Sequence, residues 1–260
     1  MEGIHKAKDN SVKLILDEPE LFAEFLRDFI PVEILKNVSP ADIEDVTERF
    51  LTLVSEQKDG DTVKRINLND GKSLFIIAIV EHESRNNFRA PFKMLLYIAL
   101  ILDAYEKEAN RKTKGISRTK DFKYPPVLPI IFFTGSENES WTAETNFINR
   151  TKMSDIFKKY IPSFEYELVN LDDYSFTDLA EFGDILSLFM IINKLKTAES
   201  FEALRTLPKD YIEQLSKMNV PPHLKELLVK VITVLLTKID VPKDEIDALT
   251  EKIDERAIWY

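Results

Sequence analysis

The sequence predicts an α/β protein with a central mixed sheet, helices on both faces and a helical C-terminal extension. Two β-branched runs, Thr62–Leu68 and Ser73–His82, flank Asn69-Asp70-Gly71, which reads as a hairpin. The core of the second run, Leu74–Val80, is apolar at every position, as in a strand covered on both faces. Further apolar runs at Val127–Phe133 and Tyr166–Leu171 alternate with helical patterns, which implies crossover connections.

Composition sets the outer limits. A chain of 260 residues, 44% hydrophobic and 31% charged, holds one large domain or a core with a smaller appendage. It contains no cysteine, which removes disulfides and thiolate metal sites and fits a reducing cytoplasmic setting. The first residues, Met1-Glu2-Gly3-Ile4-His5, have no apolar stretch resembling a secretory signal. Apolar runs such as Leu95–Leu102 are too short to span a bilayer, so no membrane partner is expected. The ending at Trp259-Tyr260 suggests a longer natural chain.

Charge is unevenly spread. From Asp17 to Asp61 there are 13 acidic residues against four basic ones, or −9 of the total −10. The rest is nearly neutral and contains a basic island: Arg111, Lys112, Lys114, Arg118, Lys120 and Lys123, opposed by Asp121. Clustered lysine and arginine contact phosphates with little geometric precision, so the island is either a DNA-binding loop or a plain solvated one.

Along the chain, a helix is expected near Asn10–Leu16 and a second at Pro19–Phe29, where Leu21, Phe22, Phe25, Leu26 and Phe29 share a face and Pro31 ends the run. Ser39-Pro40 predicts the start of a third helix reaching about Leu53, with Ile43, Val46, Phe50 and Leu53 as its stripe. After the hairpin, Pro91 opens a long helix to about Glu108, with Leu95, Leu96, Ala99 and Leu102 facing inward. Pro129 is expected to break the Val127–Phe133 strand before Thr134-Gly135 closes it. Helices are expected at Gly183–Leu195 and Leu224–Ile239, the latter with Leu224, Leu227, Leu228, Val231, Leu235 and Ile239 on one face. That face suggests a homodimer interface.

One constellation carries chemistry. Glu81 and Glu83 stand two apart at a strand end, so both carboxylates share a face. Asp61 begins the neighbouring hairpin strand, whose start lies beside that end. Three carboxylates form a hard-oxygen site suited to Mg²⁺ or Mn²⁺, able to activate water against a phosphodiester. The alternative is a solvated strand edge. His82 falls on the opposite face and is expected to be structural, Asp70 belongs to the turn, and Trp141 is expected to cap the sheet edge. Arg89 and Lys93 follow closely, where each would contact a phosphate or stay solvated.

An ordered series of segments extends this reading: His5-Lys6 with Asp9 and Val12-Lys13; Leu21–Pro31; Asp61–Leu68; Glu81-His82-Glu83-Ser84; Pro91–Tyr97; Tyr124–Gly135; and Trp141-Thr142. Over roughly residues 5–175 the chain resembles the Rpn family of recombination-promoting nucleases, also described as putative transposases, of the PD-(D/E)XK nuclease superfamily. The resemblance implies a restriction-endonuclease-like mixed central sheet flanked by helices in residues 1–175, with 176–260 as a helical C-terminal region. It implies a metal-dependent DNA endonuclease that promotes recombination. Asp61 and Glu81 would be the metal ligands, and Asp9 and Lys13 would line the cleft. That family's third position usually holds Lys or Gln, where this chain has Glu83. A catalytically inactive DNA-binding or protein-interaction module on the same fold is therefore the alternative.

Overall fold

The computed structural model describes residues 11–48, 62–68, 86–135 and 140–255, and the strand course over 73–81. Helix α1 (residues 11–17) and helix α2 (Pro19–Phe29) lead into strand β1 (Ile43–Asp45), β2 (Thr62–Asn67) and β3 (Ser73–Glu81). Helix α3 (Ala90–Lys112), β4 (Val127–Phe133) and β5 (Glu167–Asn170) follow. The remainder is helical: α4 (Phe176–Phe182), α5 (Ile185–Lys194), a single turn at Ala198–Phe201, α6 (Lys209–Lys217), α7 (Pro222–Lys238) and α8 (Lys243–Glu255).

The five strands form one sheet in the order β1-β2-β3-β4-β5. The first three are antiparallel, joined by the β2–β3 hairpin, whereas β3, β4 and β5 are parallel. Period-2 alternation divides each strand between two cores. Ile66, Ile130, Phe132 and Val169 join the core of α1, α2 and α5; Val63 and Ile131 join the core beneath α3, with Met94, Tyr97 and Ile101. Helices thus cover both faces, and the architecture is mixed α/β.

Helix α2 shows how sequence sets that packing. Pro19 occupies the first turn, Glu20 complements the positive helix start, and Ile30 is already extended before Pro31. Its buried Phe25 ring lies 5.5 Å from Phe29 and meets Phe132 edge-on at 5.9 Å, tying the helix to the central strands.

Four expectations are corrected. Ser39 and Asp42 form a capping box, but the turn stops at Asp42, and Ile43–Asp45 pairs with β2 instead of continuing as a helix. A single capped turn is weak, while the open edge of β2 offers backbone hydrogen bonds to the segment that follows; residues 49–53 of that expected helix lie outside the described residues. The inward stripe of α3 is Met94, Tyr97 and Ile101, and Leu96 and Ala99 face out. Pro129 does not break β4, because β5 pairing begins only at Ile130, leaving one side of β4 open at that point. Gly183 does not open a helix: at φ 67° it ends α4, and Asp184 caps α5 by accepting the Ser187 N–H at 2.8 Å.

The C-terminal helices share the first core, which runs from Val12 to Leu249. The α7 face expected to pair two copies, with Leu224, Leu228, Val231 and Leu235, is buried within the protomer. Helix α5 is buried almost all round, and Ser11 of α1 donates to Asn193 at 2.7 Å beneath it.

Three carboxyl groups meet where α2 crosses the start of α5. Glu24 accepts the Leu186 N–H at 2.9 Å, Asp184 accepts from Arg27 at 2.5 Å, and Arg27 also donates to Asp28 at 2.9 Å. Burial, then the Asp184 charge, pushes Glu24 up to about 8. Burial and a hydrogen bond with Asp184 push Asp28 up to about 7. Both groups hold protons in the folded state that the unfolded chain releases near pH 4. Stability is therefore greatest below that range and declines as pH rises towards 8. Between pH 5 and 8.5 the unfolding free energy is expected to fall by a few kcal/mol. Glu24→Gln should flatten the decline. Denaturant titrations across that range check this, and a flat or rising wild-type profile contradicts it.

Candidate functional site at the end of strand β3

Glu81 is the last residue of β3, and its parallel neighbour there is Phe133, the last residue of β4. The strands thus end together, at the sheet edge where open α/β folds bind ligands. On the other side of β3, Thr62 pairs with Ala78, three residues before Glu81, and Asp61 directly precedes Thr62 in the chain. Asp61, His82 and Glu83 lie outside the described residues, as do Asp9 and Asp70. The hairpin register therefore carries β2 to the residue next to Asp61.

The surroundings of this strand end are built by residues the sequence reading passed over. Asn86 is a clamp: its carboxamide oxygen accepts the N–H groups of Thr142 and, at 3.1 Å, Ala143, and its Nδ2 donates to the Ser140 carbonyl at 3.0 Å. This fixes segment 140–143 against the chain leaving β3. Trp141 caps the sheet edge as expected. Its ring meets Phe133 edge-on at 5.2 Å, and its Nε1 donates to the Tyr166 hydroxyl at 3.0 Å. Nothing in the sequence distinguishes Asn86 from an ordinary loop asparagine.

Arg89 and Lys93 stand at the start of α3, close in sequence to the strand end. The Arg89 guanidinium lies 6.0 Å from the Phe92 ring and the Lys93 ammonium 5.6 Å from the Tyr97 ring. Lys13 lies on α1, half-buried. The basic island occupies the opposite end of the sheet. Helix α3 runs back along its 23 residues, roughly 35 Å at 1.5 Å per residue, before Arg111 and Lys112. Lys114, Arg118, Lys120 and Lys123 follow, all exposed, and β4 then restarts at Val127 beside Phe75, near the beginning of β3. The structure does not bring the island to the candidate site.

One buried cation lies on β2. Lys64 is 1% exposed, and its ammonium reaches Asp45 at 2.5 Å and Asp17 at 3.4 Å. Burial pushes the Asp45 carboxyl up, but hydrogen bonds from Lys64 and Thr47 outweigh it and hold the group below its ordinary range. Lys64 fastens β1 and the end of α1 to β2, the strand that carries the chain on from Asp61.

A family model of the description "putative transposase, YhgA-like" matches residues 6–220. The chain belongs to this family. The match spans the whole sheet, the candidate site and the helices through α6. No curated protein and no solved structure matches the chain significantly. No helix among the described residues is long and apolar enough to cross a membrane.

The candidate residues Asp61, Glu81 and Glu83 offer hard carboxylate oxygens, a chemistry that would suit Mg²⁺ or Mn²⁺. Among the described residues, one group brings metal-ligating atoms together: Glu18, Glu20 and His223. These sit at the starts of α2 and α7, with the imidazole 3.7 Å from Glu18. Two positive helix ends already give those carboxylates a partner and oppose a cation.

Proposed function

We propose that this protein is a Mg²⁺- or Mn²⁺-dependent DNA endonuclease of the recombination-promoting type, acting in the cytoplasm on a restriction-endonuclease-like fold. The observation that supports this best is the joint ending of β3 and β4 at Glu81, in a chain of the transposase family. Asp61 and Glu81 would hold the ion, with Glu83 completing its shell or orienting water. Bound there, the divalent cation supplies Lewis acidity towards a phosphodiester and lowers the pKa of water. The carboxylates set where that charge sits, and Arg89 and Lys93 would neutralise the DNA strand beside it. Trp141 and Asn86 hold segment 140–143 so that the strand end keeps its shape.

Glu83 favours a second reading. Without Lys or Gln at that position, the fold would serve as a DNA-binding or protein-interaction module that no longer cleaves. Nicking of supercoiled plasmid in Mg²⁺ separates the two. The wild-type chain should nick and Asp61→Ala should not. Equal nicking by both proteins counts against the site, and DNA binding without nicking by either supports the module.

A further inference from the structure

Between β4 and β5 the chain makes an excursion whose base and tip differ sharply in character. The two legs are zipped together. Asn146 bridges Glu165 in antiparallel fashion, the Phe147 N–H donates to the Phe164 carbonyl at 3.3 Å, and the Tyr166 N–H donates to Thr145 at 3.3 Å. The Phe147 and Phe164 rings stack at 6.0 Å and 11°, and the Tyr166 hydroxyl donates to the Glu144 carbonyl at 2.9 Å. Trp141 roots the base on Phe133, the register partner of Glu81. A braced stem therefore runs from the Trp141 anchor back past the start of β5, towards the end of the sheet where β4 begins.

The tip, residues 150–160, is exposed and carries large apolar side chains: Met153 is 57% exposed, Ile156 66%, Phe157 44% and Tyr160 71%. Arg150, Lys152, Lys158 and Lys159 lie among them, also exposed, against the single acid Asp155. The segment is thus +3 in a chain of −10. Lys159 sits 4.8 Å from the Tyr160 ring, and Met153 adopts a left-handed φ of 58°, a conformation methionine rarely takes. Apolar side chains gathered on an exposed tip mark an interaction site.

We propose that this tip is a DNA-engaging finger: its lysines and Arg150 contact backbone phosphates, while Phe157, Tyr160 and Met153 stack on bases or wedge into a groove. The inference rests on the reading of the protein as acting on DNA and assigns it a contact surface. Charge complementarity selects this occupant. A hydrophobic protein groove would have to desolvate the interleaved lysines. A bilayer requires a sustained amphipathic helix, whereas the tip has only the single turns Ser154–Phe157 and Lys158–Tyr160. DNA offers phosphates to the bases of the tip and π-faces to its aromatics.

The test is fluorescence anisotropy with the full chain, labelled duplex and single-stranded 20-mers, and EDTA to prevent cleavage. The triple variant Lys152→Glu/Lys158→Glu/Lys159→Glu should bind at least about tenfold more weakly, and its log–log salt slope should be flatter by about 2–3. The double variant Phe157→Ser/Tyr160→Ser should lose about tenfold with the slope unchanged. Circular dichroism melting curves of both should match wild type, since every substituted side chain is exposed. Wild-type affinity in both variants overturns the proposal. So does a loss confined to substitutions of the basic island, or a loss only of binding to phosphatidylserine vesicles. Asp61→Ala, assayed alongside, separates the two claims. Unchanged nicking by Asp61→Ala with weakened binding by the tip variants removes the metal site and keeps the finger. Asp61-dependent nicking with wild-type binding by the tip variants removes the finger alone.

Discussion

Glu81→Ala is expected to slow Mg²⁺-dependent nicking of supercoiled DNA by about a thousandfold or more while leaving DNA binding in EDTA within about twofold of wild type. Losing one carboxylate from a three-oxygen donor set weakens the ion and misplaces its charge, and three decades of rate correspond to about 4 kcal/mol of transition-state stabilisation. Glu83→Gln keeps an oxygen donor at the neighbouring position and is expected to cost about tenfold or less. Single-turnover plasmid assays at saturating Mg²⁺ measure both. If Glu83→Gln is as damaging as Glu81→Ala, then Glu83 is a full ligand, and the division of roles is wrong.

Phe25→Ala carries the largest expected loss of stability, about 3–5 kcal/mol. Its ring is fully buried and contacts Phe22, Phe29 and Phe132, so truncation opens a cavity between α2 and the central strands. Phe132 stands next to Phe133 and pairs with Val80, one residue before Glu81, so the same substitution should also loosen the strand end and reduce nicking. Phe25→Leu, which refills most of the space, should cost less than about 1.5 kcal/mol. Urea unfolding of the two variants checks the pair, and a loss below about 1 kcal/mol for Phe25→Ala would show that α2 is not what holds the sheet.

Strong local signals in the sequence survived into the structure. The antiparallel pairing of the two β-branched runs, the apolar course of β3, the proline-opened α3 and the Trp141 cap each follow from chemistry confined to a few neighbouring residues, whereas the Asn-Asp-Gly turn itself lies outside the described residues. Features that depended on distant partners did not. Ile43–Asp45 looked helical because its strand character comes from the open edge of β2. The phase of α3 is not legible from its leucines, because Tyr97, Met94 and Ile101 fill the buried stripe. The meeting of Glu24, Asp28 and Asp184 was invisible, since acidic residues are ordinarily assigned to solvent; their only trace is a pair four residues apart within an apolar helix. The tip at 150–160 did leave a sign, aromatics interleaved with lysines, overshadowed by the longer basic island. That the island sits a helix length from Glu81 follows from the strand–helix–strand order, since a crossover helix returns the chain to the start of the next parallel strand.

The central claim is that Asp61, Glu81 and Glu83 converge on one divalent cation at the end of β3. Anomalous diffraction from a crystal soaked in Mn²⁺ tests it most directly. The account predicts a single peak within about 2.3 Å of carboxylate oxygens from Asp61 and Glu81. Carboxylates that diverge with no peak among them, or a peak only at Glu18, Glu20 and His223, would contradict it.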